Sequence, residues 1–291
     1  MNRKSLILAL GAALLACMPV SAQTTYNFTD VNFTGDTFTQ FLGINNHGIV
    51  AGYHGASVNK GFTYNVATGS FTLENYPNSV QTQVIGINNN QPTTVGFYID
   101  KNNRTHGFQD INGVFSTVDF PGSPFNQLLG HNDAGQAAGY YSTKADGTGP
   151  DHAYIYDQFG GVFEVLTIPG STSAQATGIN DASEVCGFYV DAKGVNRGWL
   201  LVQGKFQPLN FPKSTFTQAL GLNNKQQVVG AYMDKAGNTH GFVYNRTTAT
   251  WQSIDDPNGI DTTLVNGIND KGDLVGFWGT PPLNTAFVAT P

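Results

Sequence analysis

The sequence predicts an all-β fold: a six-bladed β-propeller of four-stranded antiparallel blades, closed by an N-terminal strand that completes the last blade. Three observations predict it. One motif recurs six times at a period of roughly 45 residues. Each copy carries four short strand patterns bounded by turn residues. The chain also has a spare fourth strand before the first copy and lacks one after the last.

The first 22 residues stand apart from the repeats. Met1-Asn2-Arg3-Lys4 is basic, Leu6 to Leu15 is apolar or small, and Val20-Ser21-Ala22 ends small-x-small. That is the pattern of a secretory signal cleaved after Ala22, and its apolar run is shorter than the ~20 residues of a membrane-spanning helix. Leu14-Leu15-Ala16-Cys17 also resembles a bacterial lipobox, so a lipid on Cys17 is the rival expectation. Residues 23–291 form one domain, expected to be secreted or periplasmic and monomeric.

Tyr26 to Gly35 is the spare strand: Val31-Asn32-Phe33-Thr34-Gly35 aligns with Val118-Asp119-Phe120-Pro121-Gly122. Each copy then opens on an anchor of Gly-Ile-Asn-Asn/Asp, at Gly43, Gly86, Gly130, Gly178, Gly221 and Gly267. Asn and Asp suit the turn that follows, because they bond their own backbone and tolerate φ > 0. A second strand ends on a second glycine and aromatics, as in Gly96-Phe97-Tyr98. These aromatic pairs read as blade-to-blade packing rather than as a groove for sugars. The third strand carries triplets such as His106-Gly107-Phe108, and a fourth ends at Pro-Gly or a similar breaker. The missing last strand distinguishes a ring from a linear stack, which would carry distinct caps.

Composition narrows the function. Charged residues make up 12% of the chain, glycine occurs 35 times, and the net charge of −6 is unpatterned. With no Lys/Arg run, nucleic acid and anionic membrane are poor partners. Cys186 is the only cysteine beyond the signal, and its counterparts Ala51, Val95, Ala138, Val229 and Val275 mark it as a core residue.

The Gly-Ile-Asn, Val-Gly and His-Gly-Phe elements, over about residues 38 to 288, resemble the bacterial extracellular HAF repeat family. Lys60, Arg197 and Thr285 depart from its histidine. The resemblance implies export and repetition and no established activity.

No catalytic motif is visible. Glutamate occurs only at Glu74, Glu164 and Glu184, and no glycosidase pair is apparent. His106, His152 and His240 share one repeat position on different blades, so each is expected to cap its own blade. Asp-rich turns such as Asp100-Lys101-Asn102-Asn103 lack the ligand spacing of a calcium loop. Two candidate ligand groups remain. Gln40, Gln83, Gln127, Gln175 and Gln218 share one position on the innermost strand and would line a central channel. His131 breaks a position otherwise held by Ile or Leu.

These residues favour a non-catalytic binding module for a glycan, a cell-envelope component or a protein. The alternatives are a sugar- or lactone-acting hydrolase or lyase with a metal, calcium for instance, at Asp133, Asp181 and Asp270, and a structural surface protein.

Overall fold

The computed structural model describes residues 23–90 and 93–291. The expected signal and the Cys17 lipid site lie outside the described residues. Among the described residues all regular structure is β. The spare strand is β1 (Asn27–Val31). The first repeat gives β2 (Thr39–Ile44), β3 (Ile49–His54), β4 (Lys60–Asn65) and β5 (Ser70–Leu73). The second gives β6 (Gln81–Ile87), β7 (Thr93–Ile99), β8 (Thr105–Ile111) and β9 (Val114–Thr117). The third gives β10 (Phe125–His131), β11 (Gln136–Ser142), β12 (Asp151–Asp157) and β13 (Val162–Val165). Then come β14 (Ser173–Ile179), β15 (Val185–Val190), β16 (Asn196–Val202) and β17 (Lys205–Leu209), followed by β18 (Phe216–Leu222), β19 (Gln227–Met233), β20 (Thr239–Asn245) and β21 (Thr250–Ile254). The last repeat has β22 (Thr263–Ile268), β23 (Leu274–Trp278) and β24 (Thr285–Thr290).

Within each repeat the strands pair antiparallel in chain order. The sheets differ from expectation in one respect. There are four four-stranded sheets and one of eight strands, not six separate sheets. A single parallel pairing, Phe125 with Thr105, joins β10 to β8 and fuses the second and third repeats. The spare strand behaves as expected. β1 pairs antiparallel with β24, from Asn27↔Thr290 to Val31↔Ala286, and completes the last sheet.

The anchor glycines explain how closely the repeats approach. A Cβ on Gly130 would stand 2.9 Å from the Cα of Gly178, and one on Gly267 would stand 3.1 Å from the Cα of Gly43. These are backbone contacts that no larger residue permits. The relation passes from each anchor to the next and returns to the first, so the inner strands form a collar. The second glycine does a different job: at Gly96 a Cβ would meet the ring of Phe108, its cross-strand partner. Aromatic residues therefore lie flat across the second strand. The core falls into six apolar clusters, each bridging one repeat and the next. One joins Val275 and Val288 of the last repeat to Phe41 and Phe62 of the first. Cys186 is fully buried in another, and burial pushes its thiol up to about 12, which keeps it protonated and inert.

Candidate functional site: the central channel

The innermost strands β2, β6, β10, β14, β18 and β22 surround a channel along the collar axis. Strand alternation sets its lining: the Gln position lies towards one mouth, the anchor glycine at the waist, and the Asn-Asn/Asp turn at the other mouth.

The Gln mouth opens into a cavity of about 260 Å3. Gln83, Gln127 and Gln175 line it together with Tyr53, Phe97 and Phe188. Gln40 and Gln218 are not part of this lining. The physical reason at Gln40 is local: it is buried, donates to Asn284 Oδ1 at 2.9 Å and accepts from Tyr53 Oη. The amides within the cavity are also braced. Gln127 Oε1 accepts from Tyr140 Oη at 2.8 Å, Gln83 Nε2 donates to Asn59 at 2.7 Å, and Gln175 Nε2 donates to Asp151 at 2.7 Å. Such bracing fixes the side chains and leaves part of each amide's bonding capacity for a ligand.

The aromatics of the second strand divide between two tasks, where the sequence suggested packing for both. Phe97 and Phe188 face the channel cavity. The position after them faces the seams between repeats, where Tyr98 stacks on Tyr76 at 3.7 Å and, in the third repeat, Tyr141 on Phe120 at 3.9 Å. The signal was present as strand period two beginning at the glycine.

The ring of residues that follows the anchor glycines at the waist is apolar except at one place. Ile44, Ile87, Ile179, Leu222 and Ile268 form it with His131, around spaces of about 70 and 60 Å3. His131 is 7% exposed, and neither ring nitrogen has a hydrogen-bond partner among the described residues. Burial pushes its pKa down to about 4, outweighing nearby Gln158 and Asp133, so the imidazole is neutral at pH 7.

At the far mouth the turn residues close a circle. Asn46 N–H donates to Asn89 Oδ1 (2.7 Å), Asn89 to Asp133 (2.6 Å) and Asp133 to Asp181 (2.8 Å). Asp181 then donates to Asn224 (3.0 Å), Asn224 to Asp270 (2.8 Å), and Asp270 back to Asn46 (2.8 Å). Each side chain caps the backbone amide of the member before it. Asp133, Asp181 and Asp270, the weak metal candidates, are thus spent on amides and on the side chains of Asn89, Asn224 and Asn46. Although burial favours the neutral form of Asp270, bonds from Asn46 and Asn224 hold its carboxyl below the usual range. Among the described residues no group of three or more His, Cys, Asp or Glu is placed to hold a metal.

The repeated histidines act within their own repeats. His106 Nδ1 meets Asp119 at 2.6 Å and His240 Nδ1 meets Asp255 at 2.7 Å, while each ring stacks on the tyrosine across the strand pair. In the Asp-rich turns, Asp100 and Asp191 each accept two backbone amides, the geometry of an Asx turn.

No family model and no curated protein matches the sequence. Solved structures do. The chain is similar to a putative TolB from Agrobacterium tumefaciens, with TM-score 0.62 and 11% identity over 89% of this chain and 92% of that one. It is similar to a fungal lectin from Aleuria aurantia, described as a six-bladed β-propeller with a novel fucose recognition mode, with TM-score 0.55 and 11% identity over 86% and 92%. TolB from Acinetobacter baumannii matches with TM-score 0.57 and 10% identity over 86% of this chain, which spans 63% of that longer chain. At such identities the likeness carries the fold alone, and together with the sheet topology it shows that this chain is a β-propeller.

Proposed function

We propose that this chain is an exported, non-catalytic binding protein, a six-bladed propeller whose Gln-lined cavity takes one sugar unit of a glycan. The blade count rests on the six sets of four strands, with the fused sheet counted as two blades, and on the six members of the hydrogen-bond circle. The observation that carries the ligand class is the meeting of Gln83, Gln127 and Gln175 with Phe97 and Phe188 in one cavity. An amide offers both donor and acceptor to a hydroxyl, and an aromatic face packs against the C–H face of a pyranose. A volume of about 260 Å3 suits one sugar ring rather than an oligosaccharide. Lectins among the similar folds support this reading by analogy of architecture.

Export is part of the proposal. It is supported by the signal pattern of residues 1–22 and by the likeness to HAF-type repeats, whose membership is itself proposed here. Among the described residues no helix is long and apolar enough to cross a membrane.

A glycan-array screen followed by calorimetry tests the ligand class. Wild type is expected to bind at least one glycan. Gln127→Ala should weaken it about tenfold, the scale of one lost hydrogen bond to a polar ligand. Wild type binding no glycan, or Gln127→Ala binding as wild type does, would contradict the proposal.

A further inference from the structure

The last repeat, where it meets the fifth and the closing strand, departs from the repeat rule at several positions that meet in space. The rule concerns the second residue after the second glycine, which is half covered on two sides. In four repeats a ring comes from the preceding repeat: Phe33 stacks on His54, Tyr76 on Tyr98, Phe120 on Tyr141 and Phe211 on Tyr232, at 3.6, 3.7, 3.9 and 3.6 Å, while Ile168 holds that place before Tyr189. From the third strand comes a long polar side chain at the cross-strand partner. His106 lies against Tyr98 at 5.1 Å, His152 against Tyr141 at 4.9 Å and His240 against Tyr232 at 5.1 Å. Arg197 pairs with Tyr189 and Lys60 with His54 at the same register.

Trp278 holds this position in the last repeat, and both covers have changed. Asp256 stands where Tyr76, Phe120 and Phe211 stand elsewhere. Gly259 instead packs against the indole, so closely that a Cβ there would come 2.6 Å from Trp278 Cγ. The cross-strand partner is the short Thr285. Among the described residues no aromatic ring stacks on Trp278. Its indole N–H donates to Asp30 Oδ1 at 3.0 Å, which holds the ring plane in place from the closing strand β1. Trp278 and Thr285 border a groove of about 400 Å3, with Asn32, Thr37 and Thr280 supplying an amide and hydroxyls around it.

We infer that this seam groove is a second saccharide site, in which a pyranose ring lies on the indole of Trp278 on the side that a histidine covers in other repeats. A rigid, half-buried aromatic ring, pinned at its nitrogen beside hydroxyl and amide groups, matches the amphipathic surface of a sugar: C–H groups on the ring and hydroxyls at the rim. The site does not use the channel residues. It extends the glycan-binding reading to a second place, and the two can fail separately.

Tryptophan fluorescence and calorimetry test it with methyl α-L-fucoside, methyl β-D-glucoside, methyl β-D-galactoside and N-acetylglucosamine. Trp199 is fully buried, so a saccharide-induced change reports on the half-buried indoles of Trp251 and Trp278, which Trp278→Phe separates. Wild type is expected to respond to at least one probe at millimolar concentration. Trp278→Phe should abolish the response. Thr285→His, which restores the residue of the other repeats, should weaken binding about tenfold or more while leaving the thermal midpoint unchanged. Gln127→Ala should keep the seam response even where channel binding is lost. Thr285→His binding as tightly as wild type, or a response that survives in Trp278→Phe and vanishes in Gln127→Ala, overturns the seam site and leaves the channel reading standing. No response to any probe, in a protein that still binds glycans on the array, overturns the seam site as well.

Discussion

The backbone amide of Asp270 donates to Asn46 Oδ1 at 2.8 Å, and in return Asn46 Nδ2 donates to Asp270 Oδ2 at 2.9 Å. These residues stand 224 positions apart in the chain, and their pair joins the last repeat to the first. Asn46→Ala removes both bonds and leaves the Asp270 amide without its acceptor. It is expected to destabilise the fold by about 1–3 kcal/mol, read from urea unfolding at neutral pH. Asn46→Asp should cost more at neutral pH, because the new carboxylate would face that of Asp270, and should recover part of the loss below about pH 4. Equal stability of wild type and Asn46→Ala would show that the circle is ornamental.

Asp256 is fully buried beside Asp30, and its carboxyl is pushed up from 3.8 to about 6. Burial is the main cause and the Asp30 charge adds to it, against a bond from the Asn258 amide. The folded chain therefore binds this proton more tightly than the unfolded chain does. The resulting stability is fully present below about pH 4 and is lost as pH rises through about 6. Asp256→Asn should flatten the stability curve between those values and be the more stable form at pH 7. A wild-type curve that rises across this window, with the variant rising in parallel, would contradict the assignment.

His131 titrates in the opposite sense. Its pKa in the fold is about 4 against an ordinary 6.5, so the unfolded chain takes the proton first. Its neutral form supports the fold above about 6.5, and that support fades as pH falls towards 4. His131→Ile supplies the residue of the other repeats and removes two buried nitrogens without partners. The variant is expected to gain about 1–2 kcal/mol at pH 7 and more at pH 5. A loss of stability at both values, measured by thermal unfolding, would mean that the imidazole is satisfied by a bound group.

Much of the fold was legible because its signals are local or periodic. The anchor glycines recur since each must let the next backbone approach, and Cys186 read as core because its five counterparts are small and apolar. Closure was legible from the spare strand at Val31 and its absence after Phe287. The fusion of two sheets through Phe125 and Thr105 was not, because one parallel bridge depends on the spacing of neighbouring backbones and leaves no residue signature. Of the five glutamines, three reach the cavity. The bond from Gln40 to Asn284 spans 244 residues and exists only once the ring has closed. The departures at Asp256, Trp278 and Thr285 were each visible in the sequence, yet their meeting depends on the β23–β24 register and on how the fifth repeat packs on the last.

Closure by the N-terminal strand can be measured directly. Asn27 and Thr290 are exposed register partners at the end of the β1–β24 pair. In a Cys186→Val background, Asn27→Cys combined with Thr290→Cys is expected to form an intramolecular disulfide on mild oxidation and to raise the unfolding midpoint, since directly opposed strand residues lie within bridging distance. Free thiols that persist under oxidation, or bridges that form only between molecules, would place these strands apart and contradict the closed ring.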